Sequence, residues 1–263
     1  MTQAALCIEN GSVFLGKREI LHQVSHTFPR GKITGIAGPN GAGKTTLLKV
    51  LGGLLPLNEG KVTIDGVDLQ ALPRRERARR CGFVFQQVPE TSGFTVEEIV
   101  MMGRFPHIDL LSGPKTKDYE AVHKAIRAAG IEALAQRAYR DLSGGEQQLV
   151  QIARVFAQET PILLLDEPAA NLDLHHQYAL GNLLRQITKN DRTVILTSHD
   201  LHHIAAWCHE MILLDSGKIL AAGPSSEILS DYDLLSRTFK VSFFHFDNFR
   251  KGPLEEPPSP PLP

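Results

Sequence analysis

The chain has 263 residues, and 28 Lys and Arg against 29 Asp and Glu leave a formal net charge of −1. That balance argues against a protein held to nucleic acid by bulk charge. With 42% hydrophobic and 22% charged residues the composition excludes wholesale disorder, and no apolar run approaches the ~18 residues of a membrane span.

The opening MTQAALCIEN lacks a basic stretch followed by an apolar one, so no secretory signal is expected. Cys7, Cys81 and Cys208 lie far apart, which fits a reducing cytosol better than a disulfide framework. LCIEN and GSVFL read as short strands, and ILHQVSHTF alternates with period 2. ITGIAG then reads as a buried strand, GPNGAGKTT as a Gly-rich turn and TLLKVLGGLL as an apolar helix. After KVTIDG comes the basic stretch PRRERARR, whose Arg74, Arg75, Arg77, Arg79 and Arg80 read as a solvated helix face. CGFVFQ follows as another short strand.

Between about 88 and 160 the pattern is helical. Thr95 and Glu98 form a capping box, and Tyr119, Val122, Ile126 and Ala129 share a helix face. Strands and helices then alternate: PILLLD, a helix over about 174–190, RTVILTS, a helix over about 200–208, and EMILLD. Trp207 on that last helix reads as packing, and the nearby His202, His203, His209 and Cys208 do not read as a metal site. Asp215-Ser216-Gly217 turns the chain into GKILA, and GPLEEPPSPPLP reads as a solvated polyproline-like tail. The whole predicts an α/β core, its parallel sheet covered on both faces, interrupted by a helical insertion.

Three segments carry chemistry. Gly38-Pro39-Asn40-Gly41-Ala42-Gly43-Lys44-Thr45, followed by Thr46, fits G-x-x-x-x-G-K-[ST] between a strand and a helix. Its backbone N–H groups can surround phosphates at the positive end of a helix, Lys44 can reach the β- and γ-phosphates, and the Thr45 hydroxyl is a natural Mg²⁺ ligand. Ile162-Leu163-Leu164-Leu165-Asp166-Glu167 reads as a central strand delivering two carboxylates beside that loop. Asp166 would hold the metal, and Glu167 would accept a proton from the attacking water. Leu142-Ser143-Gly144-Gly145-Glu146-Gln147 opens an amphipathic helix with a second anion-seeking surface. One nucleotide needs only one phosphate loop, so each surface is expected to complete the site of another copy.

In order and spacing these segments resemble the ATP-binding cassette family, over nearly the whole chain to about residue 240. The resemblance implies a P-loop NTPase (RecA-like) core with an antiparallel β subdomain and an inserted α-helical subdomain. The expected division is 1–87 and 161–240 for the core with its β subdomain, 88–160 for the helical part and 241–263 for a C-terminal extension. It further implies ATP and Mg²⁺, Gln86 as a ligand of Mg²⁺ and of the attacking water, Ala169–Asp173 as a segment crossing a dimer interface, and His199 at the γ-phosphate. Ser143, Gly144 and Gly145 would contact the partner's ATP. Cassettes usually stack adenine on an aromatic residue in the first strands; here Leu15, before Gly16, falls at that position, with Phe14 one residue earlier.

Spanning helices are missing, so a transport role implies separate membrane permease subunits, a peripheral place on the cytoplasmic side and, indirectly, an external substrate-binding protein. No regulatory domain of the sugar-importer kind is expected after the core. QRAYRD before the signature lacks the glutamate-glycine pattern of exporters, whereas TVEEIVMMGRFPH, LSGGEQQLVQIARVFAQ and GKILAAGPSSEIL look like importers of iron-siderophores, haem and cobalamin. A mechanochemical or regulatory cassette is the competing class. It would carry a long coiled coil or a second cassette, and neither pattern is present. A P-loop small-molecule kinase would not need LSGGEQ.

Overall fold

The computed structural model describes residues 4–85, 93–109 and 111–241. The chain opens with two long strands, β1 (Ala4–Leu15) and β2 (Arg18–Pro29), followed by β3 (Ile33–Ala37), α1 (Lys44–Leu51), β4 (Glu59–Ile64) and β5 (Val67–Asp68). Next come α2 (Arg74–Arg80), β6 (Cys81–Val84), α3 (Val96–Met101), α4 (Thr116–Ala128) and α5 (Gly144–Ala157). Strand and helix then alternate through β7 (Ile162–Leu165), α6 (Leu174–Thr188), β8 (Thr193–Thr197), α7 (Leu201–Trp207) and β9 (Glu210–Asp215). β10 (Lys218–Pro224), α8 (Ser225–Ile228) and α9 (Tyr232–Phe239) close the described chain.

A six-stranded sheet runs β10-β9-β3-β8-β7-β6 and a four-stranded antiparallel sheet runs β2-β1-β4-β5. In the larger sheet every pair from β9 to β6 is parallel, and only the edge strand β10 is antiparallel. Alternation along β7 explains why its four residues are all apolar. Leu163 and Leu165 pack with α5, α6 and α7, while Ile162 and Leu164 pack with α1 and the smaller sheet. This is the P-loop NTPase core with antiparallel β and α-helical subdomains that the sequence led us to expect.

Two local readings differ from expectation. LCIEN and GSVFL belong to one strand, because Asn10, at φ 48°, is absorbed as a bulge between Ile8 and Gly11 while its N–H donates to Ser25 Oγ at 2.8 Å. The arginines of α2 are not simply a solvated face. Arg75 Nε and Arg79 Nε each donate to the Pro106 carbonyl at 2.9 Å, and Arg77 Nη1 donates to Gly53 O at 3.1 Å. Long side chains that look solvent-directed in sequence here satisfy carbonyls of two neighbouring segments.

The helical layer has its own buried clamp. α5 packs against both α3 and α4. Gly103 lets the chain pass so close that a Cβ there would lie 2.0 Å from Arg154 O. The adjacent Arg104, 4% exposed, donates Nε to Asp118 Oδ1 at 3.1 Å and Nη1 to Ala157 O at 2.6 Å and Glu159 Oε2 at 2.8 Å. Burial alone would raise the Asp118 carboxyl, but the Lys115 N–H and the Arg104 guanidinium outweigh it and hold it below the ordinary value.

Arg104→Met keeps the volume and leaves the Asp118 carboxylate buried without its cation. We expect a loss of about 3 kcal/mol by urea denaturation at neutral pH. Since the folded-state Asp118 pKa is depressed, its contribution is full above the ordinary 3.8. It fades as pH falls through the lower folded value, so the gap between variant and wild type should narrow in acid.

Candidate functional site

The loop Gly38–Gly43 leaves the C-terminal end of β3 and enters α1, whose N-cap is Gly43 at φ 103°. Its shape is fixed from outside. A Cβ on Gly38 would lie 1.9 Å from the Leu214 carbonyl oxygen, so only glycine lets the loop pass β9. The two-residue turn Ser216-Gly217, both at positive φ, joins β9 to β10, and the Gly217 N–H donates to Ala42 O at 3.0 Å. His22 of β2 donates its N–H to Gly217 O at 2.9 Å, which ties the smaller sheet into the same corner.

Lys44 is 7% exposed, and its Nζ donates to Gly38 O at 2.8 Å and Pro39 O at 3.1 Å. Burial lowers its pKa, while the charges of Glu167 and Asp166 oppose that shift. Next to it, Thr45 Oγ1 donates to Asp166 Oδ1 at 3.1 Å. Asp166, 2% exposed, follows the last residue of β7, and its N–H donates to Val84 O at 3.0 Å.

Leu165 pairs with Leu196 in the parallel register, so the next step brings Asp166 beside Thr197 at the end of β8. Thr197 Oγ1 donates to Asp166 Oδ1 at 2.7 Å and accepts the Glu167 N–H at 2.9 Å. Glu167 sits at φ 47°, a conformation most residues avoid, and its Oε2 lies 3.0 Å from His199 Nδ1. The Glu167 side chain is 15% exposed and that of His199 is 60% exposed, so the pair stands at the edge of the buried cluster. The residues predicted for phosphate, metal and proton chemistry thus meet at the C-terminal ends of β3, β7 and β8.

The other predicted residues lie apart. Ser143 caps α5 with a reciprocal pair: its N–H donates to Glu146 Oε2 at 2.8 Å, and Glu146 N–H returns to Ser143 Oγ at 3.3 Å. Among the described residues, no hydrogen bond joins Ser143, Gly144 or Gly145 to residues 38–45. Their near neighbour is instead the Ala169–Asp173 segment, with Asn171 O 3.0 Å from where a Gly145 Cβ would stand. That segment is held by Gln177, whose Nε2 donates to Leu172 O at 2.9 Å. Leu15, 54% exposed, and Phe14, 40% exposed, end β1 side by side after a register shift between Val13 and Phe14. Gln86 lies outside the described residues.

The site fits a nucleotide and a hard divalent cation: a glycine cradle that side chains would fill, a lysine folded over it, and hydroxyl and carboxylate oxygens in contact. His203 and Cys208 serve other ends. His203 stacks on Trp207 with ring centroids 4.5 Å apart, and Cys208 Sγ stands 2.8 Å from where a Gly35 Cβ would be. Sequence reasoning missed Thr197 and Gln177. A hydroxyl following the apolar Val194-Ile195-Leu196, two residues before His199, was the available sign of the first, and nothing in the sequence marked the second.

Known proteins resemble this chain over most of its length. The family model described as ABC transporter matches residues 21–170. The ferric enterobactin transport ATP-binding protein of Escherichia coli (strain K12) is 39% identical over 234 residues, 89% of this chain and 86% of that one. The hemin import ATP-binding protein of Pseudomonas entomophila (strain L48) is 39% identical over 82% of this chain and 85% of its own length. A solved ATP-binding cassette, a dimer in a post-hydrolysis state with ADP and Pi, superposes with a TM-score of 0.75 at 26% identity, covering 84% of this chain and 98% of that one.

The close passage at Gly38 yields a direct test. Gly38→Ala should displace the loop from β9 and weaken ATP binding at least about tenfold, whereas Gly41→Ala, with open space around its Cβ but φ 80°, should cost less. Binding of a fluorescent ATP analogue to both variants measures the difference; equal affinities would show that the contact with Leu214 does not shape the loop.

Proposed function

Since the chain belongs to the ABC transporter family and is one of its ATPases, we propose that it drives import of an iron chelate through separate membrane permease subunits. A siderophore or haem complex is favoured over cobalamin. The chemistry rests on one observation, the convergence of Lys44, Thr45, Asp166, Glu167 and His199 at one end of the parallel sheet. The cargo rests on the two relatives named for ferric enterobactin and hemin. As a subunit of such a transporter the protein would sit on the cytoplasmic face of the membrane and receive its cargo indirectly from an external substrate-binding protein.

In this reading the backbone N–H groups of residues 38–46 other than Pro39, which has none, and the Lys44 ammonium hold the ATP phosphates. Thr45, Asp166 and Gln86 would hold Mg²⁺, which when bound neutralises charge on the phosphates. Glu167 takes the proton of the water that attacks the γ-phosphate as the bond to the β-phosphate oxygen breaks. His199, within hydrogen-bond reach of Glu167, steadies that carboxylate and faces the γ-phosphate. Leu15 gives adenine an apolar contact in place of a ring, leaving phosphate contacts to dominate affinity. Ser143, Gly144 and Gly145 meet the nucleotide of a second copy, so that two chains close around two ATP molecules.

Glu167→Gln tests the reading at three levels. Hydrolysis should fall by ~10²–10⁴, the typical worth of a general base. ATP binding should persist and trap a dimer, visible as a doubled mass in size-exclusion chromatography with ATP. Cells carrying only this variant should lose uptake of radioactive iron as a siderophore or haem complex. Hydrolysis near the wild-type rate would remove Glu167 from the role, and unchanged uptake with hydrolysis abolished would remove the transport assignment.

A further inference from the structure

The Thr197 hydroxyl has one proton and a fully determined use for it. Donation to Asp166 Oδ1 at 2.7 Å leaves a lone pair for the Glu167 N–H at 2.9 Å, and the residue is 0% exposed, so no water competes. The result is a chain of hydrogen bonds, buried at Thr197 and Asp166, running from the Glu167 N–H through the Thr197 hydroxyl to the Asp166 carboxylate. It grips the 166–167 peptide from a neighbouring strand. Glu167 stands at φ 47°, and a non-glycine residue persists there only where its surroundings over-determine it. Asp166 also accepts from Thr45, and the Glu167 N–H donates to Thr197.

We propose that Thr197 is a positioning residue for hydrolysis: its hydroxyl holds the Glu167 backbone in the left-handed conformation that aims the carboxylate at the attacking water. The proposal rests on the reading of Glu167 as general base. Without the hydroxyl the N–H would lose this acceptor, and the 166–167 peptide could turn until Glu167 reached an ordinary φ. The carboxylate would then leave the place where His199 meets it. Lys44, Thr45 and the glycine loop would be untouched, so the loss should fall on turnover and not on nucleotide binding.

The test compares full-length wild type, Thr197→Val, Thr197→Ser, Glu167→Gln and the Thr197→Val/Glu167→Gln double variant. Steady-state MgATP hydrolysis is measured together with binding of a fluorescent ATP analogue. The valine variant should lose at least about tenfold in kcat, as misplacement of a reacting group does, with KM and analogue affinity within about twofold. Serine, which restores the hydroxyl, should recover kcat to within about threefold. On the Glu167→Gln background, Thr197→Val should lower the residual rate no further, because it acts through the group already removed.

A valine variant with kcat within twofold of wild type would overturn the proposal. So would failure of serine to recover the rate, or a loss that multiplies on the Glu167→Gln background, since either marks packing alone. A rise in KM matching the loss in kcat would also overturn it, moving the role of the hydroxyl to Asp166 and nucleotide binding. Should the valine variant not fold, Thr197→Ala is read by the same criteria. A Glu167→Gln enzyme that still hydrolyses ATP normally would instead sink the general-base reading on which the proposal stands.

Discussion

The Asp166 carboxylate is the point on which this site depends. A buried carboxylate is costly unless its oxygens are hydrogen-bonded. Asp166, 2% exposed, accepts from Thr45 at the start of α1 and from Thr197 at the end of β8. Those two hydroxyls belong to the phosphate loop's helix and to a strand beside β7. The parallel register of β7 and β8 and the entry into α1 thus deliver to one acidic group two donors far apart in sequence. Glu167 inherits its position from the same arrangement, because its N–H closes on Thr197.

What the cluster lacks is equally informative. Ser143 and its two glycines cap a helix whose near neighbour is the loop ending at Asp173, and no described hydrogen bond takes them to the phosphate loop. A helix start opened by an exposed Ser143 and Gly144, whose glycine N–H groups make no hydrogen bond to the phosphate loop among the described residues, is suited to meeting a ligand held by another molecule. The helical layer bearing it is braced internally by Arg104 and joined to α2 through Arg75 and Arg79. These contacts give the layer the stiffness to carry Ser143 as part of a body rather than as a loose loop.

Much of this was legible in sequence because it depends on local rules. The glycine loop between a strand and a helix, the apolar run ending in Asp166-Glu167, and the capping box at Thr95 each announce themselves within a few residues. The hidden parts depend on what lies across space. Thr197 matters because parallel pairing sets it beside Asp166, and no spacing within TVILTS records that neighbour. The α2 arginines looked solvated because their acceptors at Gly53 and Pro106 are remote in sequence. The bulge at Asn10 split one strand into two pieces in the pattern, since an inserted residue shifts the alternation by one.

The account turns on the claim that each ATP site is shared between two copies of the chain. The most direct measurement is nucleotide stoichiometry in mixed dimers. With Lys44→Ala in one chain and Ser143→Arg in the other, both lesions fall in one shared site and the second site keeps its full complement of residues. Such a dimer should hold one ATP, whereas a dimer with both substitutions in one chain and none in the other should be damaged at both sites. Equal occupancy in the two arrangements would contradict the shared site.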